Sequence, residues 1–247
     1  MKPSPDKRTL AVALAASLAV PLLVFAQRTS VSGDIPIYDN AGRPDLTLDP
    51  KRFNSQLEIV DRLFEVGDCE LIEGSVGGTG YRRLLRFDIV IINAGASDLR
   101  VGNPTDPANP YAPWFEFAPC HSHYHIRDFS DYKLLNLDGS VAVQGHKQAF
   151  CLEDILKYSH NPSSGYTCGN QGITSGWGDW YFKQLSGQWI DITGAPEGDY
   201  IVRAEVNAAR TFAEGENRYP DFIEARIHVP DPRHKVTVDT SPLDYSH

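Results

Sequence analysis

Short runs of β-branched and aromatic residues, each bounded by turn residues, recur along this chain and constrain its fold more than any other feature. Such spacing is typical of strands. The Asp138-Gly139 pair favours a tight hairpin turn because it tolerates positive φ. Helical periodicity is weak, and residues 54–66 fit either one short helix or a strand. We therefore predict an all-β protein, a single β-sandwich-like domain with long loops and little helix. The predicted strands are residues 84–93, 132–137, 140–144, 189–193, 200–207 and 222–229.

The first 26 residues have the organisation of a secretory signal peptide. A positively charged start precedes an apolar run over residues 10–25, and Val24-Phe25-Ala26 places small residues before a cleavage point at Gln27. An uncleaved anchor is the alternative, because the run is only slightly short of the roughly 20 residues that span a bilayer. The sequence thus predicts an exported protein, secreted or periplasmic, with no membrane contact after cleavage.

Charge and composition divide the remainder of the chain. Removal of residues 1–26 takes away three positive side chains and one negative, so the formal charge goes from −9 to −11. An acidic protein suits cationic substrates and binds nucleic acid poorly, so no nucleic-acid partner is expected. Residues 27–49 are rich in Pro, Asp and Gly and are expected to form a flexible arm. Residues 50–230 then form the folded domain and residues 231–247 a C-terminal tail.

The chain contains four cysteines, an even number that predicts disulfides in an exported protein. Four free buried thiols are the alternative. None of the cysteines belongs to a CxxC pair, so a zinc site built from thiolates is not expected.

Three histidines alternate with other residues at 121, 123 and 125, so in an extended strand they share one face. The outer two Cα atoms of a straight strand lie about 13 Å apart at roughly 3.3 Å per residue, so the strand must bend or bulge for the rings to meet at one ion. Ligation by nitrogen alone suits Cu(II), but three histidines also suit catalytic zinc. The spacing therefore predicts a metal site without choosing the metal. Solvent exposure or a local hydrogen bond is sufficient to explain the others, His146, His160, His228, His234 and His247.

Several ordered motifs resemble the catalytic domain of the lysyl oxidase family. They are CHSHYH at residues 120–125 with DFS at 128–130 and Tyr132, GHKQAFCLED at 145–154, DWY at 179–181 and QWIDIT at 188–193. The similarity extends, with gaps, from about residue 45 to about residue 229, which makes chance agreement improbable.

The resemblance implies a set of functional residues. The copper ligands of the family fall on His121, His123 and His125, and the residues that cross-link into lysine tyrosylquinone fall on Lys147 and Tyr181. The implied disulfides are Cys69–Cys120 and Cys151–Cys168. The chain departs from animal members in having only four cysteines and in carrying Trp180 where they have a small hydroxyl residue. These departures concern the disulfide framework and the shape of the substrate cleft.

The activity implied by the resemblance is oxidative deamination of a primary amine, either peptidyl lysine or a small amine. Dioxygen would be the oxidant, and the products would be an aldehyde, ammonia and hydrogen peroxide. Asp179 is the candidate general base, because it lies two residues from Tyr181 and shares its face if the segment is extended. A turn-forming aspartate after Gly178 is the alternative.

Other functions fit some of the same residues. Without the resemblance, Lys147 would be interpreted as a surface lysine and Tyr181 as a core tyrosine. An exported copper-binding β-sandwich without a mature quinone, or a zinc hydrolase that uses the same histidines, would also account for the histidine motif.

Overall fold

The computed structural model describes residues 42–146, 150–215 and 219–246, and in these residues the predicted all-β fold is confirmed. Two short helices, α1 (Pro50–Ser55) and α2 (Cys69–Ile72), and a 3-10 turn at Ala112–Trp114 accompany the strands. The strands, in chain order, are β1 (Leu46–Leu48), β2 (Glu58–Phe64), β3 (Gly80–Arg86), β4 (Ile89–Asn93), β5 (Leu99–Gly102), β6 (Phe115–Ala118), β7 (His123–Ile126), β8 (Ser130–Leu135), β9 (Val141–Gln144), β10 (Leu156–Lys157), β11 (Gln171–Ile173), β12 (Trp177–Tyr181), β13 (Trp189–Asp191), β14 (Gly198–Val206), β15 (Phe222–Val229) and β16 (Thr237–Val238).

These strands form several small sheets. Three sheets have four strands each, in the orders β1-β4-β12-β10, β13-β3-β2-β16 and β15-β14-β8-β9. Two further pairs, β11-β5 and β6-β7, complete the set in the part of the chain that the structure describes. Neighbouring strands run antiparallel, except that β16 pairs with β2 in parallel. Short strands in several sheets position loops on many sides of one core.

A single large hydrophobic cluster joins the sheets. Leu46, Ile91, Tyr132 and Val202 come from different strands and are all essentially inaccessible to solvent within it. A second, smaller cluster of Val60, Phe64, Val76, Leu84 and Trp189 lies on the other face of β3. Because successive strand residues point to opposite faces, adjacent residues of β3 serve the two clusters.

The predicted strand at residues 84–93 is in fact two strands that belong to different sheets. The chain leaves β3 at Arg86 and enters β4 at Ile89. Between them Phe87 is fully buried in the main core, and the Asp88 carboxylate accepts hydrogen bonds from the Trp180 indole (2.9 Å) and the Lys183 backbone N–H (2.9 Å). Both partners lie outside β3 and β4. Their hydrogen bonds to Asp88 explain why the chain passes from one sheet to another within an apolar run that has no turn residue.

Residues 54–66 fitted either a helix or a strand, and they contain the end of helix α1 and the whole of strand β2. The Asp49 side chain caps α1 by accepting from the N–H groups of Lys51 and Arg52, and Pro50 occupies the first turn. The helix ends at Ser55, and β2 begins at Glu58.

The predicted hairpin at Asp138-Gly139 is confirmed. Strands β8 and β9 pair antiparallel, and Gly139 has φ +86°, which a glycine adopts without a steric penalty. The Asn136 N–H donates to the Ser140 carbonyl at 2.8 Å, so the loop has three residues rather than two.

The ends of the domain extend beyond the boundaries that composition suggested. Strand β1 is buried and pairs with β4, although its residues were placed in the flexible arm, and β16 lies in the expected tail. Residues 1–41, with the predicted signal peptide 1–26 and most of the arm, lie outside the described residues. No helix in the described ranges is both long and apolar enough to cross a bilayer.

Candidate functional site

The three histidines of the 121–125 motif lie at a tight turn between β6 and β7. His123 and His125 belong to β7, whereas His121 precedes the strand. Ser122 adopts φ 60°, and its N–H donates to the Ala118 carbonyl at 2.8 Å. The chain therefore bends within the histidine motif, as convergence on one ion requires. The bend places His121 before β7, so the three histidines do not share one strand.

The bend brings the three rings together. One ring nitrogen from each of His121, His123 and His125 lies within 4.8 Å of the other two. The Nε2 atoms of His123 and His125 are 2.9 Å apart. His121 and His125 are buried and His123 is half-buried. The arrangement offers three imidazole nitrogens to one cation.

His121 has buried polar atoms that the protein leaves unsatisfied. Its side chain is 0% exposed, and neither ring nitrogen has a hydrogen-bond partner among the described residues. The Glu73 carboxylate lies 3.4 Å from His121 Nε2 but not in hydrogen-bond geometry. A buried, unsatisfied polar group costs about 1–3 kcal/mol. A metal ion bound to the ring nitrogen would remove that cost, so the residues present fit a metal.

The other histidines in the part of the chain that the structure describes are exposed, as expected. His146, His160, His228 and His234 lie at the surface, and the His228 ring is 2.8 Å from the Asp199 carboxylate. His247 lies outside the described residues.

Tyr181 is the second component of the site and lies at the end of β12, in the core. The residue is 1% exposed, and the Phe150 ring packs edge-on against it at 4.6 Å between centroids. Its hydroxyl lies 2.5 Å from Asp179 Oδ2 and makes a short hydrogen bond with the Cys151 carbonyl. Asp179, which is fully buried, lies within the extended β12 rather than in a turn, so the two side chains share one face.

The contacts of Tyr181 determine where its proton lies. Its hydroxyl has one proton but faces two oxygens that accept, the Cys151 carbonyl and the Asp179 carboxylate. Burial, reinforced by the charge of Glu153, holds the pKa of Asp179 well above its usual range. Burial, with the adjacent Asp179, likewise raises the pKa of the Tyr181 phenol. The single phenol proton therefore serves two acceptors, the Cys151 carbonyl and Asp179 Oδ2, and Oδ2 also accepts from the Glu153 N–H at 3.2 Å.

Backbone pairing connects the histidine motif to the tyrosine. The N–H groups and carbonyls of Ile126 and Phe150 exchange hydrogen bonds at 2.6 and 3.1 Å. Ile126 directly follows His125, and Phe150 carries the ring that packs on Tyr181. Lys147, the other predicted cofactor residue, lies outside the described residues.

Gln171 provides a second connection. This fully buried residue donates from Nε2 to the Tyr124 carbonyl at 2.6 Å, between two of the histidines. Its Oε1 accepts from the Leu152 N–H at 3.2 Å. One side chain thus joins β7 to the segment after Cys151.

Both disulfides implied by the resemblance are present, Cys69–Cys120 and Cys151–Cys168. The first joins α2 to the residue before His121. The sulfurs of the second lie within 4.8 Å of a His123 ring nitrogen. Because they are bonded to each other, they are not thiolate ligands.

Trp180, the departure from the animal pattern, points away from Asp179 and Tyr181. Its ring lies under the Arg52 guanidinium at 4.3 Å, and its indole N–H donates to Asp88. Adjacent strand residues face opposite sides. The tryptophan therefore packs on the far side of β12.

Three residues of the site could not be found from the sequence. Gln171, Glu73 and Tyr245 contact the histidine segment, and Tyr245 places its ring 5.7 Å from that of His121. All are far from the motif in the chain, so no spacing pattern indicates them.

Comparisons with known proteins agree with these features. The model of the family described as lysyl oxidase matches residues 72–234. Lysyl oxidase homolog 2 of Homo sapiens is 37% identical over 185 residues, which are 70% of this chain and 23% of the relative. Lysyl oxidase homolog 2A of Danio rerio is 37% identical over 184 residues (70% and 24%), and lysyl oxidase homolog 4 of Mus musculus is 35% identical over 189 residues (70% and 23%). The matched region thus spans about a quarter of the length of these curated relatives.

Proposed function

Because the chain belongs to the lysyl oxidase family, we propose that it is a copper-dependent amine oxidase of the protein-lysine 6-oxidase type. Its reaction is oxidative deamination of a primary amine by dioxygen to an aldehyde, with release of ammonia and hydrogen peroxide. The observation that carries this proposal is the juxtaposition of three convergent imidazoles with a buried tyrosine hydroxyl on a carboxyl group.

In this proposal the metal is Cu(2+), held by His121, His123 and His125. The Nε2 atoms of His123 and His125 are 2.9 Å apart, close enough for both to bind one ion, and ligation by nitrogen alone suits Cu(II). The unsatisfied nitrogens of His121 supply the third ligand.

The second cofactor in the proposal is lysine tyrosylquinone, formed from Lys147 and Tyr181. Copper would supply the redox chemistry by which dioxygen oxidises the tyrosine ring, and the quinone would serve as the electrophile and two-electron acceptor for the substrate amine. Tyr181 is held for this role by its hydroxyl contacts with Cys151 and Asp179 and by the Phe150 ring. Because Tyr181 is buried, water does not compete for these contacts, and together they hold the ring in one orientation.

Asp179 is the proposed general base. Its Oδ2 faces the tyrosine oxygen, and its Oδ1 is buried without a hydrogen-bond partner among the described residues. An oxygen with a free lone pair can take up a proton from the carbon next to the substrate nitrogen. Burial raises the pKa of Asp179 toward the operating pH, as general-base catalysis requires.

Charge and disulfides support the proposed substrate class and location. The formal charge of −11 after removal of residues 1–26 suits a cationic amine, either peptidyl lysine or a small amine. Two disulfides are consistent with an exported, secreted or periplasmic protein.

The test compares the wild-type protein with two groups of variants of the exported chain, all purified with copper. Wild-type protein is expected to contain about one copper and to show a quinone absorption band. Lys147→Ala and Tyr181→Phe should lose the band but retain copper, and alanine at any of the three histidines should abolish both. A wild-type protein that holds copper without the band would instead favour a copper-binding β-sandwich without a mature cofactor.

A further inference from the structure

The C-terminal segment contacts β2 through β16 and the histidine site through Tyr245. We name residues 239–246 the C-terminal strap. It begins where β16 ends, and the Asp239 N–H donates to the Asp61 carbonyl at 2.9 Å. The Asp239 carboxylate accepts from Arg62 at 2.8 Å and from Arg86 at 2.6 Å. This end of the strap is therefore fixed by charge-assisted hydrogen bonds, which are the stronger kind.

The middle of the strap is held by backbone hydrogen bonds and apolar packing. The Ser186 N–H donates to the Asp244 carbonyl at 2.8 Å, and the Asp244 N–H donates to the Gln184 carbonyl at 3.2 Å. Leu243 packs on the smaller hydrophobic cluster. These contacts bring the next residue, Tyr245, to a defined position.

Tyr245 connects the strap to His121. Its ring meets the His121 ring at 5.7 Å between centroids with an interplanar angle of 62°. Its hydroxyl donates to Glu70 Oε1 at 2.8 Å, and the same oxygen accepts from Ser186 Oγ at 2.6 Å. Glu70 is only 1% exposed, so the tyrosine is tied to an anchored carboxyl group.

We propose that the C-terminal strap retains the metal at the three histidines, with Tyr245 as the positioning residue that keeps His121 oriented and dry. The proposal rests on the proposed copper site. The strap lies beyond residues 72–234, the region that matches the family model, so it is a feature of this chain that the family match does not require. His121 has no hydrogen-bond partner among the described residues, so its ring is oriented by packing against the rings of Tyr245, His123 and His125 and by the Glu73 carboxylate 3.4 Å from Nε2. The Tyr245 ring is the member of this set that the strap supplies.

The physical effect is that of an outer group on a metal ligand. Loss of such a group typically costs 10–100-fold in metal affinity, because the ligand ring is no longer held in the binding orientation. Removal of the Tyr245 ring would also open His121, now 0% exposed in its side chain, to water and to competing chelators. Both effects weaken copper retention without removing a ligand.

The experiment measures copper directly in the full-length exported protein. Apoprotein is titrated with Cu(II) against a chelator of known affinity, and the rate of copper removal by excess chelator is recorded. Tyr245→Ala should raise the dissociation constant about 10–100-fold. Tyr245→Phe keeps the ring and loses one hydrogen bond, so its effect should be at most about fivefold. Tyr81→Ala, at a tyrosine that is 63% exposed on β3, is the matched control and should leave copper binding unchanged.

Two further measurements separate positioning from simple stability. A merely structural contact would lower the thermal midpoints of the apo and copper-loaded forms equally and leave the dissociation constant at the control value, and this result would overturn the proposal. If Tyr245→Ala does not give a native circular dichroism spectrum, Tyr245→Val, which keeps a larger apolar side chain than alanine but no ring, should show a rise in the dissociation constant of tenfold or more. A wild-type protein that binds no copper would overturn the metal site and the strap together, whereas copper-binding wild type with unaffected variants would overturn the strap alone.

Discussion

The buried amide of Gln171 should be a main determinant of both stability and metal binding. It donates to the Tyr124 carbonyl at 2.6 Å and accepts from the Leu152 N–H at 3.2 Å. Because the residue is 0% exposed, water cannot replace these bonds. In Gln171→Ala, the half-buried Tyr124 carbonyl and the buried Leu152 N–H would each lose a partner.

The magnitude follows from these two groups. An unsatisfied buried backbone group costs about 1–3 kcal/mol and a half-buried one costs less, so Gln171→Ala should lower the free energy of unfolding by about 3 kcal/mol. That is a large part of the roughly 5–15 kcal/mol that stabilises a typical domain. Because Tyr124 lies between His123 and His125, Cu(II) affinity should also fall about tenfold or more.

Urea unfolding of the apoprotein, followed by circular dichroism, gives the first quantity, and chelator competition gives the second. Gln144→Ala is the matched control, since Gln144 is an exposed glutamine with side-chain hydrogen bonds to Asp131 and Tyr132. The control should lose less than about 1 kcal/mol, as surface substitutions usually do. The reasoning is refuted if Gln171→Ala unfolds at the same urea concentration as Gln144→Ala with an unchanged slope.

Three further predictions concern other parts of the molecule. Asp179→Asn should keep the quinone band but slow amine turnover by about two to four orders of magnitude. In assays of turnover at a series of pH values, it should also remove the rise of turnover with pH that the elevated pKa of Asp179 produces. Burial raises the pKa of Glu214 from 4.5 to about 7, so folding favours its protonated form. The free energy of unfolding should therefore fall by up to about 3 kcal/mol as the pH rises from 4.5 to about 7. Glu214→Gln should remove this dependence on pH in urea unfolding experiments. Trp180→Thr removes a cation–π contact and an indole hydrogen bond on the far side of β12, so it should cost about 2 kcal/mol in thermal unfolding while the KM for amines stays unchanged; a changed KM would place Trp180 at the substrate cleft instead.

Local patterns in the sequence predicted the elements whose determinants are themselves local. The hairpin around Gly139 depends on one turn, and β15 depends on its own bounded apolar run, so both were found with nearly correct limits. The break between β3 and β4 was missed because it depends on Asp88 pairing with Trp180 and Lys183, which lie in a distant part of the chain. The burial of β1 was missed for the same reason, since only its pairing with β4 excludes it from solvent.

The candidate site divides in the same way. The alternation of His121, His123 and His125 indicated both the shared metal and the need for a bend, because three residues so close in the chain can be related by backbone geometry alone. The groups that support them come from afar, with Gln171 from β11 and Tyr245 from the C-terminal strap. Only the fold brings such residues together.

The two chemical centres also share a physical property, in that each holds a polar group that folding alone does not satisfy. His121 is buried with both ring nitrogens unpaired, and Asp179 is buried with one carboxyl oxygen unpaired. Either feature alone destabilises a domain, so the surrounding structure must over-determine it. Here a disulfide adjoins each segment, Ile126 and Phe150 join them by backbone hydrogen bonds, and a buried glutamine joins β7 to the segment after Cys151. In the proposed enzyme the metal and the substrate would supply partners at these two positions, which are the kind of place where local rules of stability are expected to fail.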